Sequence, residues 1–287
     1  MREPFLPQHR FNFLGALVLL LGMIVPTVML SLMNVGFMFA AQTTLQYEDM
    51  FLVVMNAAMW LGAIFAYDFI ICRPQTKRPL NFNLSAKDVS THAIIFPMML
   101  GMIFIAEFCT SQIPVTGPFF GKMFEFFSEM MAKLTNDFAT MLLLAVVMAP
   151  IFEEIVFRGI IQKGLINNGV KPTAAIWIAA VIFGLVHGNP WQFVGAVLLG
   201  VAMGIVYHRT GSLLLPILLH AFNNLIGSLL YYYTDSESIA IALNVSEFAL
   251  LLIGIVLFAL FYYLLIKKYP VPTGNTTIYE RNSGGNP

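Results

Sequence analysis

The chain has 287 residues, of which 59% are hydrophobic, 14% aromatic and only 10% charged, with a formal net charge of zero and a mean hydropathy of +0.80. Soluble globular domains carry about 25% charge, so the composition excludes a soluble enzyme and predicts an all-α, polytopic membrane bundle. Balanced charge excludes a basic nucleic-acid surface, and the two distant cysteines, Cys72 and Cys109, support neither a disulfide framework nor a cysteine metal site.

About eight transmembrane helices are expected. The first, Phe11 to Phe39, contains no charged residue. It is too long for a signal-peptide core of about 7–15 residues, and no A-x-A site follows it. Pro26 is expected to kink it, which neighbouring helices can tolerate. The second span runs from Phe51 to Cys72 and the third from His92 to Thr110. Between the third and fourth, Phe119 to Leu134 is rich in Phe and Met, with Lys122, Glu125, Glu129 and Lys133 at helical spacing. That pattern predicts an amphipathic helix, either lying on the outer surface or packing on the bundle.

The fourth span runs from Phe138 to the charges at Glu153–Arg158. The fifth, Thr173 to His187, and the sixth, Trp191 to Tyr207, are short and separated by Gly188-Asn189-Pro190. The seventh is Gly211 to Tyr233 and the eighth Phe248 to Ile266; Gly200 and Gly204 in the sixth predict close helix packing. From Pro270 the chain is rich in Gly, Asn, Thr and Pro and is expected to be disordered. By chain order this gives an N-terminal three-span region with the outer helix (1–136), a four-span core (137–233), a C-terminal span (234–269) and a tail (270–287).

An even number of spans places both termini on one side. With the termini inside, only Lys122 and Lys133 of the 15 Lys and Arg fall in outer segments. Those segments carry acids instead: Glu48, Asp49, Glu125, Glu129, Asp235, Glu237 and Glu247. The positive-inside rule therefore predicts cytoplasmic termini.

A charge in a hydrocarbon span costs on the order of 2.5–3.5 kcal/mol on insertion scales, so the cluster Glu153-Glu154-Ile155-Val156-Phe157-Arg158 needs a reason. On a helix Glu154 and Arg158 share a face, whereas Glu153 points about 100° away. Arg158 can thus neutralise Glu154 as a support and leave Glu153 in a different environment, suited to a base. Among the five histidines, His9, His92 and His208 sit at span edges and are expected to be interfacial. Phe183-x-x-x-His187 and His220-x-x-x-Asn224 each place two residues on one helix face inside an apolar run. Asp68, Glu107 and Asp137 lie near span ends and are expected to be structural.

Glu153-Glu154-x-x-x-Arg158, Phe183-x-x-x-His187 and His220-x-x-x-Asn224, in that order on separate helices, resemble the motifs of the CAAX protease and bacteriocin-processing family. These intramembrane endopeptidases, also called the Abi family, are typified by the Ras-converting enzyme. The resemblance covers roughly residues 138–233. It implies peptide hydrolysis without a serine or cysteine nucleophile: Glu153 would activate a water with help from His187, and His220 and Asn224 would stabilise the oxyanion. Glu154 and Arg158 would complete the motif as a charge-paired support. The resemblance implies a peptide or protein substrate at the membrane and no cofactor.

A zinc site on Glu153, His187 and His220 is the mechanistic alternative, although no H-E-x-x-H motif is present. Two other readings stay open: a non-catalytic scaffold or bacteriocin self-immunity protein, and a transporter with a buried proton relay. Paired repeats with broken helices would mark the last, and the sequence has none. A bacterial plasma membrane is the expected location.

Overall fold

A computed structural model describes residues 8–41, 49–134, 137–234 and 238–270. Its regular elements are helices throughout, as the composition requires: α1 (Phe13–Ala41), α2 (Asp49–Thr76), α3 (Val89–Ser111), α4 (Phe120–Leu134) and α5 (Phe138–Asn167), followed by α6 (Pro172–Leu185), α7 (Pro190–Thr210), α8 (Leu214–Thr234), α9 (Ile239–Leu243) and α10 (Glu247–Lys268). Among the described residues, α1, α2, α3, α5, α7, α8 and α10 are long and apolar enough to cross a membrane. The protein is a polytopic helical membrane protein. Arg2, Glu48, Asp235, Glu237, Arg281 and the tail after Pro270 lie outside the described residues.

Helix starts follow local chemistry. Asp88, Asp137, Asn189 and Ser246 each accept a hydrogen bond from a backbone N–H in the first turn of α3, α5, α7 and α10. Such caps satisfy donors that a helix leaves without partners. Gly211, with φ of 67°, closes α7.

The helices form two packing units, and the chain enters each of them twice. The first comprises Met1–Asn81 and Ala132–Lys171, hence α1, α2 and α5. Here α1 runs on through Pro26 and meets α2 at glycines. A Cβ on Gly62 would lie 2.4 Å from the Gly22 carbonyl oxygen and 2.7 Å from Pro26 Cγ, a separation only glycine permits. Along the buried face of α2 lie Trp60, Ala63 and Tyr67, and the Trp60 ring meets Phe157 of α5 edge-on at 6.2 Å.

The same end of both α2 and α5 is tied down by the residues before α1. Arg10 N donates to Gln75 Oε1 (2.8 Å) and Tyr67 OH to Arg10 O (3.2 Å). Phe11 N donates to Gly164 O (3.0 Å), and Asn167 Nδ2 to His9 O (2.9 Å). With their C-terminal ends on one strap, α2 and α5 run parallel. His9 is therefore buried rather than interfacial, at 4% exposure, and its Nε2 donates to Ile160 O at 3.3 Å.

The sequence places the end of the fourth span at Glu153–Arg158. In the structure α5 continues to Asn167, interrupted by two π-helical stretches, Leu143–Met148 and Ile155–Gln162. The helix can run through because two of the three charges, Glu154 and Arg158, pair with each other. Asp68 holds the end of α2, accepting from Arg73 Nε (2.8 Å) and Leu80 N (2.7 Å), a structural role as expected.

The second unit comprises Phe82–Met131 and Pro172–Pro287. Its α3 and α10 cross at two glycines: a Cβ on Gly101 would lie 2.8 Å from Gly254 O and 2.6 Å from Phe258 N. At one end Leu213 N donates to Asn83 O (2.8 Å), Arg209 Nη1 to Tyr269 O (3.2 Å) and Lys268 Nζ to Asp88 and Ser90. At the other, Ser111 Oγ donates to Glu247 Oε2 (2.7 Å), and Glu107 Oε1 accepts from Ser238 Oγ (2.8 Å) and Ala240 N (2.9 Å). Hence α3 runs antiparallel to α7 and α10, and the cations of this unit's helix ends gather at one end of it.

The expected amphipathic helix is α4. Phe120, Phe124 and Phe127 surround Trp191 of α7 at ring separations of 6.4, 5.0 and 6.2 Å, while Lys122, Glu125, Phe126 and Glu129 are exposed. Between α6 and α7 the close contact is Gly184, where a Cβ would lie 2.7 Å from Val197 Cγ2 and 2.9 Å from Phe193 O. With 14 residues, α6 is about 21 Å long and falls short of a hydrocarbon core of about 30 Å.

Candidate active site

The sequence-derived residues fall in both units: Glu153, Glu154 and Arg158 in the first, His187, His220 and Asn224 in the second. In the first unit Arg158 Nη1 donates to Glu154 Oε1 at 2.7 Å, and the two side chains are 1% and 0% exposed. The i, i+4 spacing makes this pair local to α5. Gln162, four residues further on, is also fully buried, so Glu154, Arg158 and Gln162 form a polar stripe along one face. Glu153 is rotated off that stripe and is half-buried. The two adjacent carboxylates thus have different surroundings, one sealed against a guanidinium and one partly open.

The pair lies where the helix changes its winding, since the π-helical stretch begins at Ile155. Stretches of this kind are rare and occur frequently at functional sites. Its last turn is held from outside by His9 on Ile160 O, and the turn that follows it by Phe11 against Gly164. A Cβ on Gly164 would lie 2.6 Å from Phe11 Cβ, so glycine there is what lets the strap lie flat on α5.

In the second unit His187 follows the end of α6, where Gly188 turns the chain with φ of 70°. Asn189 then starts α7 and donates from Nδ2 to His187 O at 3.1 Å. His187 Nδ1 lies 2.7 Å from Phe183 O. A carbonyl oxygen only accepts, so Nδ1 carries the proton and Nε2 presents a lone pair. The Phe183 ring stands edge-on to both histidines, 5.0 Å from His187 and 5.6 Å from His220. His187, at the end of a short helix, and His220, in the second turn of α8, are therefore brought to one place within this unit. His220 is buried at 5% exposure.

Asn224 lies one turn beyond His220. Asn223, about 100° round the helix from Asn224 by spacing alone, donates from Nδ2 to Asn224 Oδ1 at 3.0 Å and fixes the rotation of its neighbour's carboxamide. Sequence spacing missed this contact because long polar side chains on adjacent residues can bend toward each other. Among the described residues, no group of three or more His, Cys, Asp or Glu side chains is placed to hold a metal ion.

Residues 135–226 match the model of a family described as Rce1-like, type II CAAX prenyl endopeptidase. The match supports a CAAX-type membrane protease in general terms. No curated protein and no solved structure matches the chain.

Proposed function

With residues 135–226 carrying the Rce1-like pattern, we propose that this protein is an intramembrane endopeptidase that hydrolyses a peptide bond near the membrane by a Glu/His-activated water. The observation that carries this reading is that the matched stretch spans the three motifs of the resemblance, with Glu153, Glu154, Arg158, His187, His220 and Asn224.

Glu153 is the general base. Its carboxylate takes one proton from a water, whose oxygen bonds to the scissile carbonyl carbon; the resemblance gives His187, through its Nε2 lone pair, the part of assisting that step. His220 and Asn224 donate to the oxyanion that forms. Such donors, preorganised in a site of low dielectric, contribute about 3–4 kcal/mol each. The proton on Glu153 passes to the amide nitrogen, the C–N bond breaks and the amine leaves. Glu154, held by Arg158, supports the turn that presents Glu153. The substrate is a membrane-anchored peptide or protein trimmed at a leader or C-terminal segment. The proposed location is a bacterial plasma membrane with both termini in the cytoplasm; the distribution of Lys and Arg supports that orientation.

The test is cleavage of a mixed pool of membrane-anchored peptides by the purified protein in lipid nanodiscs. Glu153→Ala and chelator-treated wild type run alongside. Cleavage lost in Glu153→Ala and retained with chelator is the expected result. Loss with chelator and recovery with zinc would replace the mechanism by a zinc one on Glu153, His187 and His220. Silence of the wild type on every peptide in the pool would favour the scaffold or immunity reading.

A further inference from the structure

The carboxamide oxygen of Asn56, inside α2, is buried without a hydrogen-bond partner among the described residues. Leaving a buried polar group without a partner costs free energy. A polar side chain kept there calls for a ligand that supplies what the helices do not.

Its position follows from an observed contact. Asn56 precedes Trp60 by one turn and continues the face formed by Trp60, Ala63 and Tyr67. On α5, Glu153 precedes Phe157 by the same four residues. The rings of Trp60 and Phe157 touch at 6.2 Å, and α2 and α5 run parallel, since both end on the strap at Arg10 and Phe11. Moving one turn, about 6 Å, along both helices puts Asn56 level with Glu153 and on the α2 face that looks toward α5. Both residues belong to the first packing unit.

We propose that Asn56 is a substrate-binding residue that hydrogen-bonds a backbone peptide group of the substrate beside Glu153. A carboxamide has the same donor and acceptor as a peptide bond, so it can accept from an N–H and donate to a C=O at once. An extended peptide in an apolar interior has both groups without partners, and no helix of its own to satisfy them. The proposal rests on the reading of Glu153 as the base, and a lone Asn in the uncharged run from Phe51 to Tyr67 is the sequence signal that marks it.

Two measurements test it. In a Cys72→Ser, Cys109→Ser background, Asn56→Cys is exposed to a water-soluble thiol reagent in nanodiscs, with and without the membrane-anchored peptide pool. Labelling that the peptides suppress is expected; no labelling, or labelling indifferent to peptide, overturns the proposal. This readout does not depend on turnover, so it stands even if the wild type cleaves nothing in the pool. On any peptide that is cleaved, Asn56→Leu is expected to lower kcat/KM by about tenfold to a hundredfold, chiefly through KM. Asn56→Gln should recover part of it. Replacing substrate amides one at a time by esters should reveal one position whose loss hurts wild type and leaves Asn56→Leu unaffected. An unchanged kcat/KM in Asn56→Leu overturns the assignment.

Discussion

Arg158 and Glu154 hold each other at 2.7 Å with almost no exposure to the surroundings. A buried pair of this kind adds little stability over an apolar pair, but breaking it leaves an uncompensated charge, at about 3–5 kcal/mol. Arg158→Met alone should therefore destabilise strongly. The double variant Glu154→Leu, Arg158→Met should regain most of that stability and no peptidase activity. Unfolding midpoints of the two singles and the double, compared as a cycle, read the coupling. Equal losses in single and double variants would show that the pair is not what holds this turn of α5.

Gly184 permits the close approach of α6 to α7 that precedes His187. A methyl group there would meet Val197 Cγ2 at 2.7 Å and Phe193 O at 2.9 Å. Because the second neighbour is backbone, it cannot swing aside, and Gly184→Ala should cost about 1–3 kcal/mol as overpacking does. Activity should fall further than folded yield, since the displaced segment carries His187. A variant with normal midpoint and normal turnover would refute the close approach.

His187 is expected to be the Nδ1–H tautomer, because its Nδ1 faces a carbonyl at 2.7 Å. Nitrogen-15 NMR of labelled histidine separates the two tautomers by the chemical shift of the unprotonated nitrogen. The signal lost in His187→Gln should be of the Nδ1–H form. An Nε2–H assignment would remove the lone pair on which the proposed water contact depends.

His9 supplies a pH dependence distant from the chemistry. Burial pushes its pKa down from 6.5 to about 4, reinforced by the nearby Lys163 ammonium and opposed by its hydrogen bond to Ile160 O. Since the folded pKa lies below the unfolded one, the unfolded chain binds the extra proton between about pH 4 and 6.5. Stability therefore rises with pH through that window and falls as the solution is acidified, by up to roughly 3 kcal/mol. The difference in unfolding midpoint between pH 5 and pH 7.5 should shrink in His9→Asn. An unchanged difference would place the acid sensitivity elsewhere.

Much of this was legible in the residues. The apolar composition and the length of the runs determined an all-helical membrane bundle, because a bilayer admits little else. The amphipathic α4 and the Glu154–Arg158 pair were readable for a related reason: both depend on spacing within a single helix. The continuation of α5 to Asn167 was not, since a charge cluster looks like an end until Glu154 and Arg158 are known to be buried as a pair. Nor was the burial of His9, whose partners Ile160 and Lys163 lie about 150 residues away in sequence.

The sequence by itself determined which residue types are available and which neighbours one or two turns apart they share. Only the tertiary structure decided what stands beside what from different helices. His187 and His220 flank the same Phe183 ring, and Asn56 comes level with Glu153 through the contact of Trp60 with Phe157. The physical reason is that helical periodicity fixes a residue's direction around its own axis, whereas register between helices is set by side-chain packing and by glycines such as Gly22, Gly62 and Gly184. No pattern along a single chain segment encodes that register.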